Sequence, residues 1–294
     1  MRSDLTKYLR KLPPPAATVV KKATVYPHYW MQASKCRMGY MAYGKRYKHN
    51  IMFIAGTPKS GTTWVENMLD CFPGFSKLLI PEANLRRGPD AHNLPSDTFS
   101  RMRNMLVISK MHLHWTKHNT DLLKDSGVPY IIQYRDFRDM YVSDYFYVKN
   151  TPWHFYHPAA VNMTLDEYIH RCIEDHLPDY CARVDSWCDH RDINSSLVLR
   201  YEDLIADALK CMKEIQKLYE LPATDEELAH IVEKNSFAAV AKGRQRGEEN
   251  KNSHFRKGVA GDWKNHYTAQ HKGEIKRIAG DWLVRHGYES DTNW

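Results

Sequence analysis

The stretch Gly56-Thr57-Pro58-Lys59-Ser60-Gly61-Thr62-Thr63-Trp64 is the first place in this 294-residue chain where residue types and spacing suggest chemistry. It follows the apolar run Ile51–Ala55, and Trp64, Val65, Met68, Leu69 and Phe72 then recur at helical intervals. Backbone N–H groups of such a loop, together with a helix N-terminus, can converge on one anion. The spacing approaches GxxxxGK[ST], but Thr62 stands where the lysine belongs and the lysine lies inside the loop as Lys59. A positive charge can therefore still sit beside a phosphate, while a kinase or triphosphatase with the usual magnesium arrangement is disfavoured.

Two further groups of residues suit the same chemistry. Lys110-Met111-His112-Leu113 ends a second β-rich run, and a histidine there is a candidate general base because imidazole titrates nearest neutrality. Lys110 lies two residues earlier, on the same side of a regular strand, where an ammonium can stabilise developing negative charge. His114 is a second, lower-ranked base. Arg135 and Arg256 are candidates for a separate anion site, since a guanidinium fork bonds two phosphate oxygens at once; Ser143, Lys257 and the Gly258 backbone would assist.

These residues need a scaffold that brings strand ends together. Apolar runs at Ile51–Ala55, Met105–Lys110, Pro129–Tyr134 and Ser196–Tyr201 read as strands. Helical periodicity fills Asp139–Val148, Leu165–Asp189, Glu202–Tyr219, Asp225–Glu233 and Gln270–His286. The alternation predicts a single α/β domain over 51–294, with a central parallel sheet, helices on both faces and the P-loop-like turn. Residues 1–50 hold 11 of the Lys/Arg and a single acid, so they carry the whole formal excess of +7. Pro13-Pro14-Pro15 is expected to break any early helix, leaving an irregular, aromatic extension packed on the domain. That arm could make a weak contact with an anionic surface. Composition, 43% hydrophobic and 26% charged, excludes a disordered chain. Six scattered cysteines without CxxC spacing argue against a disulfide framework or zinc ribbon and suggest a reducing, cytoplasmic setting. No apolar run is long enough to span a membrane, and no metal-ligand spacing is present.

Pro58-Lys59-Ser60-Gly61-Thr62-Thr63-Trp64 resembles the 5′-phosphosulfate loop of the cytosolic sulfotransferases. The block 135–145 resembles their 3′-phosphate segment, with Arg135 and Ser143 eight apart, and 256–265 resembles the loop that closes over the nucleotide. The resemblance spans roughly residues 51 to 268. It implies transfer of a sulfuryl group from 3′-phosphoadenosine 5′-phosphosulfate (PAPS) to a hydroxyl or amine, leaving 3′,5′-adenosine bisphosphate (PAP), with no metal. It implies His112 as base, Lys59 and Lys110 on the donor oxygens, and Ser60, Gly61, Thr62 and Thr63 around the 5′ end. Trp64 and Phe237 would sandwich adenine, with Tyr201 and Asn235 at its edge; the family usually has threonine where this chain has Asn235.

The expected partner is a small-molecule acceptor, not a nucleic acid. Trp153, Phe155, Tyr156, Phe99 and Tyr147 would suit an aromatic or apolar one, and Arg86 and Arg87 an acidic one. A carbohydrate or protein sulfotransferase and a non-catalytic adenine-nucleotide-binding protein of the same fold are the alternatives. The family's dimer motif is degenerate after Lys264, so the oligomeric state stays open.

Overall fold

The computed structural model describes Leu9, residues 11–82 and residues 93–294. Packing divides it into two compact units. One comprises Lys22–Tyr134 with Trp187–Arg246, the other Arg135–Ser186 with Gly247–Trp294 and the described residues before Lys22.

The first unit holds a five-stranded sheet: β1 (Ile51–Gly56), β2 (Ser76–Lys77), β3 (Val107–Met111), β4 (Tyr130–Tyr134) and β5 (Ser196–Arg200), in the order β2-β3-β1-β4-β5. Every pairing is parallel, with Ala55 opposite Met111 and Gly56 opposite Gln133. All of β1 is buried, which explains its unbroken apolar run. Its residues alternate between two cores. Met52 and Ile54 face a cluster with Val65, Met68, Met212 and Ile215. Ile51, Phe53 and Ala55 face another with Tyr29, Ala33, Cys36, Leu123 and Trp187. Helices therefore cover both faces, as the alternating sequence predicts. The strand order reverses at β1, so the carboxyl ends of β1, β3 and β4 frame the crevice where open α/β sheets bind ligands.

The N-terminal segment corrects the sequence reading. Helix α1 runs from Pro14 to Tyr43, straight through the region expected to be irregular. Prolines in a first helical turn break no hydrogen bond, because those N–H groups have no intrahelical partner. Ala17, Val25, Tyr29, Ala33 and Cys36 are buried at helical spacing. The period was hidden because Tyr26, Trp30, Met38 and Met41 on the exposed side are apolar too. α1 seats closely on the sheet unit: Leu106 N–H donates to Cys36 O at 3.0 Å, and Leu79 N–H to Gln32 Oε1 at 3.1 Å.

Other boundaries moved for local reasons. Helix α2 (Thr62–Leu69) follows β1, and α3 (Lys117–Ser126), absent from the sequence reading, is capped by Thr116 and ended by left-handed Gly127. Leu165–Asp189 splits into α5 (Leu165–Asp175) and α6 (Leu177–His190), after α4 (Phe137–Lys149). Glu202–Tyr219 splits at Asp207, whose side chain caps the second piece, into α7 (Tyr201–Ala206) and α8 (Ala208–Tyr219). Then come α9 (Asp225–Lys234), α10 (Phe237–Val240) and α11 (Ala269–Arg285). The two-residue strand β2 is too short for any periodicity to reveal.

In the second unit Phe137 packs on Trp282 at 5.6 Å, and Arg138, 1% exposed, lies against the rings of both Trp263 and Trp294. Its guanidinium pairs with Asp136 and Glu289, so its charge is compensated where water cannot reach.

Candidate active site

In the sheet unit the loop after β1 is built from the backbone outward. Lys59 takes a left-handed φ of 57°, and Gly61 a φ of 84° as the residue preceding α2. A non-glycine residue held there is strained, a feature that clusters at ligand-binding turns. No side chain caps α2, and Trp64 N–H in its first turn donates to Gly61 O at 2.8 Å; a helix start of this kind is where anions are commonly held. Ser60 is fully buried, and its Oγ donates to Thr57 O at 2.7 Å, which makes its hydroxyl part of the loop's own bonding.

Gln133 is the residue the sequence reading missed. Fully buried on β4, it donates through Nε2 to Ser60 O at 2.9 Å and accepts Thr57 N–H on its carbonyl at 2.8 Å. It staples the loop to the neighbouring strand. The signal was a lone amide inside the apolar run 129–134.

Lys110 and His112 both engage this loop region. Lys110 Nζ donates to Thr63 Oγ1 at 2.6 Å and pairs with Glu66 Oε2 at 2.8 Å. Glu66, 5% exposed on α2, was also missed; it sits one turn beyond Thr63 on the helix face toward Lys110. His112 is exposed, and its Nδ1 lies 2.8 Å from Gly56 O. A carbonyl oxygen can only accept, so Nδ1 carries the hydrogen, and in the neutral ring the lone pair is on Nε2. This is the tautomer a general base requires. His114 instead engages α3, its carbonyl accepting from Asn119 Nδ2.

Of the aromatic candidates, Tyr201 and Trp64 are close to the same loop. Tyr201 packs on Gly61, where an added Cβ would meet Tyr201 Cδ2 at 2.7 Å. Trp64 carries the Arg246 guanidinium over its ring at 5.5 Å, and Phe237 carries Arg244 at 5.6 Å. Asn235 directs Nδ2 inward, to Ile231 O and Cys71 Sγ.

The second unit assembles the other predicted group. Arg135, the first residue after β4, reaches Val259 O at 3.0 Å and Asp139 at 3.3 Å. Asp139 accepts Gly261 N–H at 2.6 Å and Trp263 N–H at 2.8 Å, tying the two motifs together. Arg256 pairs with Glu249 and, at 2.5 Å, with Asp262; Lys257 reaches the same Asp262 at 2.6 Å. Burial disfavours the Asp262 carboxylate, but bonds from Lys257, Arg256 and Asn265 outweigh it and hold its pKa well below the usual range. Gly258 supplies a left-handed turn with φ 69°, and Ser143 is half-buried on α4. Both arginines thus have carboxylate partners in this structure.

Of the acceptor candidates, Phe99 is a core residue, edge-on to Phe53 at 5.6 Å. Phe155 and Tyr156 stack at 3.7 Å, Tyr147 contacts His154, and Trp153 carries Lys21 at 5.6 Å. Arg86 and Arg87 lie outside the described residues. Among the described residues no cluster of three His, Cys, Asp or Glu is arranged to hold a metal, and no helix is long and apolar enough to cross a membrane.

The site is thus a P-loop-like turn at the reversal point of a parallel α/β sheet, with a histidine beside that turn. The family model described as a sulfotransferase domain matches residues 50–287, and the chain belongs to that family: it is a PAPS-dependent sulfotransferase. Sulfotransferase 2A6 of Mus musculus is 26% identical over 259 residues, covering 81% of this chain and 85% of that protein. The fold is similar to the crystal structure of mouse sulfotransferase SULT7A1 complexed with PAP, with a TM-score of 0.60, 18% identity and coverage of 86% of this chain and 91% of that one. It is also similar to retinol dehydratase in complex with androsterone and PAP, at a TM-score of 0.54 and 16% identity over 84% of this chain and 85% of that one.

Proposed function

We propose that this sulfotransferase moves the sulfuryl group of PAPS to a hydroxyl or amine of a small aromatic or apolar acceptor, with His112 as the general base. The observation that carries the reading is the Nδ1 contact of His112 with Gly56 O, which fixes the ring beside the anion loop and, in the neutral imidazole, puts the basic lone pair on Nε2. His112 Nε2 takes the acceptor proton, and the acceptor oxygen or nitrogen bonds to sulfur. The bond from sulfur to the bridging 5′-phosphate oxygen breaks, its electron pair stays on that oxygen, and sulfated acceptor and PAP leave. The imidazolium so formed still donates to Gly56 O, now through a charge-assisted bond.

Lys59, Ser60, Gly61, Thr62 and Thr63 are assigned to the 5′-phosphosulfate, with Lys110 placing charge on the leaving oxygen. The Glu66 and Thr63 contacts of Lys110 support that role, because they fix an ammonium whose stabilising effect depends on preorganisation. Trp64, Phe237, Tyr201 and Asn235 are assigned to adenine. Arg135, Ser143, Arg256, Lys257 and Gly258 are assigned to the 3′-phosphate; their support is the linked cluster around Asp139 and Asp262, in which phosphate oxygens would share or replace carboxylate oxygens. The acceptor class draws on retinol dehydratase, whose fold is similar and which binds androsterone. We place the enzyme in the cytoplasm, none of its six cysteines being in a disulfide, assign it no metal and no nucleic-acid partner, and take residues 51–294 as the catalytic region.

The test is purified protein with sulfur-labelled PAPS and a panel of phenols, hydroxysteroids, aryl amines and oligosaccharides, with and without chelator. Labelled phenol, steroid or amine insensitive to chelator supports the reading. Label on oligosaccharide alone, or a larger melting shift with ATP than with PAP, refutes it.

A further inference from the structure

Helix α1 buries one face against the sheet unit, and its opposite face is unusual for a water-soluble surface. Six of the nine exposed large apolar side chains among the described residues lie on this helix. Trp30 is 57% exposed and Met41 77%. At about 100° per residue, Tyr26, Trp30, Arg37 and Met41 fall in one stripe about 60° wide, with Met38 beside it. Lys22 flanks the stripe, and Lys45 follows just past the helix end; both are exposed. No acid occurs anywhere between Asp4 and Glu66.

From this combination we propose that the outer face of α1 docks the protein on an anionic lipid surface. A helix face that sets tryptophan and methionine among basic side chains buries the apolar ones at the headgroup boundary while lysine and arginine meet lipid phosphate and carboxylate. Tryptophan suits that depth, with an apolar body and a polar N–H. Nucleic acid would neutralise the same charges but offer nothing to Met38 and Met41. A second copy of the chain would bring Lys22 and Arg37 against their own like charges, which is unfavourable. The proposal is independent of which acceptor the catalytic site takes.

The test is co-sedimentation of the full chain with vesicles of phosphatidylcholine alone and with a third phosphatidylserine. Wild-type protein pellets with the anionic vesicles and not with the neutral ones, and is released by half-molar salt. Because the stripe side chains are exposed, Trp30→Ser with Met41→Ser leaves the melting temperature unchanged and lowers partitioning about ten-fold or more. Arg37→Glu lowers it about thirty-fold, because the local charge changes by two. Failure of wild-type protein to bind anionic vesicles overturns the proposal outright, whatever the variants do. So does a solution dimer that Trp30→Ser with Met41→Ser converts to monomer, or tighter retention on single-stranded RNA than on the vesicles.

Discussion

Replacing His112 by asparagine separates its two jobs. The asparagine amide nitrogen falls near the position of imidazole Nδ1, so it can still donate to Gly56 O, the contact seen at 2.8 Å. What disappears is Nε2. Loss of a positioned base costs about 10² to 10⁴ in turnover, which corresponds to roughly 3 to 5 kcal/mol on the barrier. His112→Ala removes the hydrogen bond as well, and one such bond contributes about 1 kcal/mol. The expected pattern follows. His112→Asn loses turnover by that factor and binds PAP within about two-fold of wild type, and His112→Ala loses the same turnover and binds PAP about five-fold more weakly. Steady-state transfer of labelled sulfuryl, read across pH, and PAP titration by calorimetry provide both numbers. The wild-type rate should rise as imidazole deprotonates, and the asparagine variant should be flat in that range. Turnover of His112→Asn within ten-fold of wild type would refute the assignment and direct attention to His114.

Glu66→Gln leaves Lys110 an oxygen to bond but no opposing charge; with Lys110 only a fifth exposed, stability should fall by about 2 kcal/mol and turnover by about ten-fold. A thermal scan and a PAPS assay decide, and an unchanged melting point would mean that the pair is idle. Gly61→Ala forces a Cβ to 2.7 Å from Tyr201 at a φ of 84°, so calorimetry should show PAP affinity down more than ten-fold; wild-type affinity would show the loop tolerates the shift. Asp262 has a depressed folded-state pKa, so its contribution to stability is fully present above the unfolded value near 3.9 and drains away as pH falls below it. Asp262→Asn should therefore be less stable at pH 7 and flatter between pH 5 and 2 in urea titrations, whereas parallel curves would contradict the account.

The chemistry-bearing residues were legible where it lives in spacing. The loop, the Lys110–His112 pair and Arg135 each stand at the end of an apolar run, because a parallel strand must be apolar throughout and its end must be punctuated, whereas the Arg256 segment was read from its resemblance to a family motif. Gln133 and Glu66 were not legible for the opposite reason. Each acts through one long-range partner, Ser60 or Lys110, that only the folded sheet brings within reach. α1 was misread because periodicity detects contrast between faces, and here Tyr26, Trp30, Met38 and Met41 blur that contrast on the exposed side. The carboxylate partners of Arg135 and Arg256 were likewise invisible; Asp139 and Asp262 look like ordinary helix-flanking acids until the turn at Gly261 closes on them.

The seating of α1 bears on where this enzyme begins as a physical object. At Gly39 an added Cβ would lie 1.9 Å from the carbonyl oxygen of Gly74, so helix and loop meet backbone to backbone with no room for any other residue. The family-matched region starts at residue 50, eleven positions later. A chain trimmed to that homology limit would strip Tyr29, Ala33 and Cys36 from one of the two cores and expose the part of the sheet they cover to water. Recombinant work that takes the conserved region as the boundary should therefore yield insoluble material, whereas a start ahead of Pro14 should yield an enzyme that can be assayed.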